Sequence, residues 1–161
     1  MTRIRAEASA IIDASPEAVY SLIADYRNGH PRILPQEHFR DLVVEEGGIG
    51  EGTVISFVTR AGGQDRKMRG RVSEPQPGRV LVESYTASDL VTTFTLTPQN
   101  GGKQTSVQIA TEQSPSPGLR GMVERLMVPR LLQDIYRKEL AQLAEVMKST
   151  SKSGSSSSGT Y

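Results

Sequence analysis

The feature that most restricts this chain is a series of short turn signals between Thr53 and Thr111. Gly62-Gly63, Pro75-Gln76-Pro77-Gly78, Ala87-Ser88 and Gln99-Asn100-Gly101-Gly102 cut the segment into strand-length pieces. Within each piece apolar residues recur at every second position, the period of a half-buried strand. Connections this short join antiparallel neighbours only, because a parallel pair needs a crossover of a dozen residues or more. The segment therefore reads as a meander with one continuous apolar face.

The turns also predict a register, since residues directly opposite each other share a face. A two-residue turn at Gly62-Gly63 sets Phe57 opposite Met68 and Ile55 opposite Gly70. A four-residue turn over 75–78 sets Val72 opposite Leu81 and Gly70 opposite Glu83. A two-residue turn at Ala87-Ser88 sets Tyr85 opposite Leu90, Glu83 opposite Thr92 and Leu81 opposite Phe94. A four-residue turn over 99–102 sets Phe94 opposite Val107 and Thr92 opposite Ile109. The four turns agree on one apolar face, which carries Ile55, Phe57, Met68, Val72, Leu81, Tyr85, Leu90, Phe94, Leu96, Val107 and Ile109, while Arg69 and Arg71 fall on the other. A slip of one residue would bury Arg beside Phe, at a prohibitive desolvation cost. Glu83 is the exception on the apolar face. It is expected between Gly70 and Thr92, with room above Gly70 for water or a ligand, and a carboxyl placed there needs a partner or a proton.

Two helical segments flank the meander. The alternation of Ile4, Ala6, Ala8, Ala10 and Ile12 with polar residues predicts a first strand. Ser15 then suits an N-cap and Pro16 the first helical position. The helix that follows presents Val19, Leu22, Ile23 and Tyr26 and ends at Asn28-Gly29, with a second short helical turn expected in 32–36 and a strand in 41–46. A long helix is expected over 119–147, with Val123, Leu126, Met127, Leu132, Ile135, Leu140, Leu143 and Met147 on its apolar side and a kink at Pro129. Residues 1–148 make one domain, and the Ser/Gly-rich 149–161 is expected to be a disordered tail.

Composition excludes several classes. A net charge of +1 supplies no field for nucleic acid. No apolar run approaches the ~20 residues of a membrane span, and the N-terminus lacks the apolar stretch of a signal peptide, so a cytoplasmic location is expected. Without Cys there is neither disulfide nor thiolate chemistry. The only histidines are His30 and His38, and Glu37 and Asp41 near the latter match no ligand spacing, so no metal is expected. The sequence contains no Gly-x-Ser-x-Gly elbow, phosphate loop or Gly-x-Gly-x-x-Gly helix start, so neither a cofactor nor a catalytic motif is read. Arg66, Arg69 and Arg71 read as a solvated outer face of the sheet.

The order of elements resembles the helix-grip fold of the START-like superfamily, also called SRPBCC, and within it the polyketide cyclase/dehydrase and lipid transport branch. The resemblance rests on 8–20 (Ala-Ser-Ala-Ile-Ile-Asp-Ala-Ser-Pro-Glu-Ala-Val-Tyr), Ile23-Ala24-Asp25-Tyr26, Gly50-Glu51-Gly52-Thr53, Val72-Ser73-Glu74-Pro75 with Pro77-Gly78-Arg79, and Met127-Val128-Pro129-Arg130. It implies an α+β fold: a curved antiparallel sheet of about seven strands wrapped on a long kinked C-terminal helix, with two short helices after the first strand. It also implies a cavity between sheet and helix for a small hydrophobic molecule such as a lipid, polyketide or aromatic compound.

On that expectation Phe57, Met68, Tyr85, Phe94 and Ile109 form the walls, Glu83 and Thr92 supply polar contacts, and Tyr26, His30 and Arg32 stand near the entrance. A polyketide cyclase or dehydratase using Glu83, Tyr85 or His30 as acid or base is the alternative. A protein-interaction module with no ligand is a second one.

Overall fold

The computed structural model describes residues 2–155. In chain order the elements are β1 (Ile4–Ile12), α1 (Pro16–Ala24), a 3-10 turn (His30–Arg32), β2 (Phe39–Glu46), β3 (Val54–Ala61), β4 (Gln64–Gln76), β5 (Val80–Tyr85), β6 (Val91–Gln99), a 3-10 turn (Asn100–Gly102), β7 (Gln104–Gln113) and α2 (Leu119–Ser155). The seven strands form one antiparallel sheet in the order β1-β7-β6-β5-β4-β3-β2, and α2 packs most closely on β1. This is the helix-grip, START-like fold.

Local chemistry sets the element ends. The Ala18 N–H donates to Ser15 Oγ at 3.2 Å, and Pro16 starts α1 without forfeiting a hydrogen bond. Asp25 Oδ1 then accepts from the N–H groups of Arg27 and Asn28, both at 3.0 Å, which turns the chain into the 3-10 segment at His30–Arg32. That segment lies before the helical turn expected in 32–36 and overlaps it only at Arg32. Between β3 and β4, Gly62 and Gly63 take φ of 60° and 76°, the left-handed pair that a tight two-residue hairpin needs.

The inward face is the expected one, but two of the four registers differ. Phe57 pairs with Met68, Ile55 with Gly70, Glu83 with Thr92 and Leu81 with Phe94 as read from the turns. Val72, however, pairs with Glu83 rather than Leu81, and Gly70 with Tyr85 rather than Glu83. Phe94 pairs with Ile109 and Thr92 with Thr111. The β4–β5 strands carry a register shift between Ser73 and Gln76, and the β6–β7 strands close at Gln99 and Gln104, one residue later than expected. Both discrepancies in the direct pairs are two residues, and side chains alternate with period two, so every residue keeps its face while changing its partner. The room expected above Gly70 is filled: a Cβ there would stand 3.1 Å from the Tyr85 ring.

Helix α2 continues through Pro129 as one element and ends at Ser155, past the expected 147. The tail expected from 149 is thus helical to 155, and 156–161 lie outside the described residues. Ile135, Tyr136, Leu140, Leu143 and Met147 of α2 are buried in the core. Val123, Leu126 and Met127, expected on the buried side, are instead exposed together with Leu119 and Met122.

Candidate functional site

Two adjoining spaces lie between the sheet and α2. The inner one is a cavity of about 40 Å³. The outer one is a cleft of about 270 Å³ that runs between the β3–β4 hairpin and the N-terminal half of α2. Phe39, Phe57, Tyr85, Thr92 and Tyr136 line both. Apolar side chains of the outer cleft include Met68, Leu90, Val128, Leu131, Leu132 and Ile135.

The floor of the inner cavity is polar and deeply buried. Alternation on β5 turns Glu83 inward between Leu81 and Tyr85. The Tyr26 hydroxyl donates to Glu83 Oε1 at 2.6 Å, and the Tyr85 hydroxyl donates to Glu83 Oε2. Burial first, then the neighbouring Glu83, pushes both phenols well above their ordinary value, so both keep their protons and both donate. A carboxyl accepting on each oxygen has the hydrogen-bond pattern of the ionised form.

His30 closes the floor from the other side. Its Nδ1 lies 2.8 Å from the Ile23 carbonyl, an acceptor only, so Nδ1 carries a proton. Its Nε2 faces Glu83 Oε1 at 3.7 Å. The ring stacks on Tyr26 with centroids 4.4 Å apart and meets Phe94 edge-on at 5.4 Å. These contacts leave the imidazole in one orientation with its second nitrogen toward the carboxylate.

Glu139 of α2 is the second acid. Its residue is 2 % exposed and lines the inner cavity. Among the described residues none donates a hydrogen bond to it or pairs with it. Burial, reinforced by the charge of Glu83, pushes its carboxyl well above the usual range. Beside it a hydroxyl chain crosses the cavity wall: Thr92 and Thr111 Oγ1 lie 2.7 Å apart, and Thr111 bonds Tyr136. The inner cavity therefore presents one carboxyl that accepts from two phenols and a second, held toward its protonated form by burial, with no hydrogen-bond partner among the described residues.

The expected residues are spread across these layers. Phe57, Tyr85 and Thr92 line both spaces, Met68 lines the outer cleft, and Phe94 and Glu83 line the inner cavity. Ile109 is buried in the core and lines neither. Tyr26 and His30 are buried at the floor rather than placed at an entrance, and Arg32 is exposed and lines neither space. The reason is the tight turn at Asp25, which folds the 3-10 segment back against α1 and α2 and carries His30 inward.

Glu139, Tyr136, Phe39 and Thr111 escaped the sequence reading. A signal for Glu139 is present nonetheless. It falls at the spacing of Leu132, Ile135, Leu143 and Met147, so a charged residue occupies a core position of the helix.

Fold and cavity together define a helix-grip protein of the START superfamily. Residues 3–148 match the family model for polyketide cyclase / dehydrase and lipid transport, and the chain belongs to that family. No curated protein matches the chain. Among solved structures it is similar to KanY protein, at 28 % identity with a TM-score of 0.79, covering 92 % of this chain and 99 % of that one. It also resembles a START superfamily protein from Mycobacterium smegmatis, at 14 % identity and a TM-score of 0.71, covering 92 % and 99 %. The Zhui aromatase/cyclase from a Streptomyces species shares the fold at 14 % identity and a TM-score of 0.75, covering 91 % and 94 %.

Proposed function

We propose that this protein binds a small, largely apolar molecule between the sheet and α2, with its polar end toward Glu83 and Glu139. The observation that carries this reading is the adjoining pair of spaces. An apolar cleft leads to a compact polar floor, and together they reach the lower end of the ~300 to 1,000 Å³ typical of small-molecule sites. Apolar walls supply affinity in proportion to the area removed from water, and a few buried polar groups fix orientation. The test is native mass spectrometry of the full chain as purified, followed by a denaturing extract, with a thermal-shift panel of lipids and aromatic compounds. A released small molecule, or a concentration-dependent rise in Tm with one class, supports the reading. A bare mass together with no shift across the panel overturns it.

One observation favours a second reading, acid–base catalysis. A carboxyl pushed by burial toward its protonated form and a second one that accepts on both oxygens face the same cavity, the division of labour that general acid and base require. On this reading Glu139 gives its proton to a departing hydroxyl of a β-hydroxy ketone, the C–O bond breaks, and the proton from the adjacent carbon leaves to Glu83. Formation of the conjugated enone, followed by absorbance, is expected with the native chain and abolished in Glu139→Gln. No enone above the buffer rate overturns this reading.

A further inference from the structure

We infer that the ligand of this cavity carries an amine at its inner end, held by Glu139 and surrounded by aromatic rings. The inference rests on the binding reading above and adds the chemical class of the head group.

Most polar groups facing the cavity are already used. Both oxygens of Glu83 accept from phenols. The His30 Nδ1 proton goes to the Ile23 carbonyl. The hydroxyls of Thr92, Thr111 and Tyr136 bond one another. Two groups are left: His30 Nε2, which faces Glu83 Oε1 at 3.7 Å, and Glu139, with two oxygens and, among the described residues, no donor to either. The Glu139 oxygens open on the cavity instead of being sealed in the core, and a donor on the ligand is the group that answers them. No Lys or Arg lines the inner cavity, and the one basic side chain in its lining, His30, faces Glu83.

Three further observations narrow the donor to an amine. The cavity of about 40 Å³ admits a compact head and little more. Its walls include Phe39, Phe57, Phe94 and Tyr85, and the Phe57 ring meets Phe39 at a tilt and Tyr85 edge-on, at 5.9 Å and 80° for the latter. Ring faces around a small space attract a cation. Among the described residues no group of three metal-ligating side chains is placed to hold an ion, which points to an organic cation and away from a metal. A carboxylate head would meet the charge of Glu83. A carbonyl head would take the Glu139 proton and leave the other oxygen unanswered.

An alkylamine is already an ammonium at neutral pH, so on binding the Glu139 O–H breaks, its proton leaves to solvent, and the ammonium donates to both carboxylate oxygens. Burial beside Glu83 keeps that proton on Glu139 while the site is empty. The remainder of the ligand lies in the outer cleft against Met68, Leu90, Val128 and Leu131. The cleft lining carries both signs of charge, Arg60 and Arg66 with Asp65 and Glu124.

Calorimetric titration of the full chain at neutral pH with 4-phenylbutylamine, 4-phenylbutanol and 4-phenylbutyrate tests this. The three share one apolar body and differ in the head. The amine is expected to bind roughly tenfold or more tighter than the alcohol, the worth of one hydrogen bond to a charged group, and the carboxylate to bind weakest. In Glu139→Gln the advantage of the amine is expected to vanish while the alcohol affinity stays. If the alcohol or the carboxylate binds as tightly as the amine to the native chain, the inference falls and the binding reading stands. If the variant keeps the amine preference, Glu139 is not the receptor and the inference falls. If none of the three binds, the inference falls, and the binding reading is decided by the mass and the lipid and aromatic panel above. The native-chain series decides the matter even where the variant folds poorly.

Discussion

The two halves of α2 obey the same helical periodicity and meet opposite fates. From Ile135 to Met147 the stripe facing the sheet is buried, and it includes a carboxyl, Glu139, at a position where an apolar residue would be unremarkable. From Leu119 to Met127 the stripe is apolar and exposed, with Leu119 at 81 % and Leu126 at 70 %. Amphipathic spacing tells which side chains share a face of a helix, but what covers that face depends on where the sheet ends. The helix overruns the sheet at its N-terminal end, and the outer cleft opens beneath that overrun through Glu124, Val128, Leu131 and Leu132.

Four measurements break or sharpen this contrast. The largest effect is expected from Leu143→Ala in the buried half, which leaves a cavity in the core and costs about 2 to 5 kcal/mol in denaturant unfolding. A loss below about 1 kcal/mol would mean that the buried half of α2 is not held as described.

Next comes Tyr26→Phe, which strips one of the two donors from Glu83 and leaves that oxygen buried. A loss of about 1 to 3 kcal/mol is expected by chemical denaturation, against almost none for Tyr→Phe at an exposed site.

Glu139→Gln follows, with an effect whose sign depends on pH. Because the folded state raises the Glu139 pKa, the stability tied to its proton is fully present below the ordinary carboxylate range and is lost as pH rises through the folded value. Native and variant proteins should therefore melt at similar temperatures near pH 5. The variant should melt higher at pH 8, since it never has to ionise in the cavity. Parallel Tm profiles across that span would place Glu139 in contact with water.

The smallest effect is expected from Leu126→Ser in the exposed half, within about 0.5 kcal/mol of the native chain. A larger loss would show that this stripe is covered in solution.

Much of the sheet was legible before any coordinates. Turn residues and two-residue alternation named the inward face, from Ile55 to Ile109, because a side chain's face depends only on whether its position is odd or even along a strand. The partners across β4–β5 and β6–β7 were not legible. A loop that begins one residue later or carries a bulge moves a pairing by two positions without disturbing the apolar pattern, which is why Glu83 meets Val72 and not Gly70. His30 misled for a related reason. A histidine between Gly29 and Pro31 reads as a surface loop, and only the turn at Asp25 and the packing on Tyr26 bury it.

The sequence by itself determined the class of fold, the apolar face of the sheet and the inward position of Glu83, since these follow from local conformational preference and strand periodicity. Only the tertiary structure decided that Glu83 finds two phenol donors, one of them fifty-seven residues away, and that Glu139 joins it without a partner. Electrostatic interaction between buried groups depends on distance and desolvation in space, and residues far apart in the chain carry no mark of either.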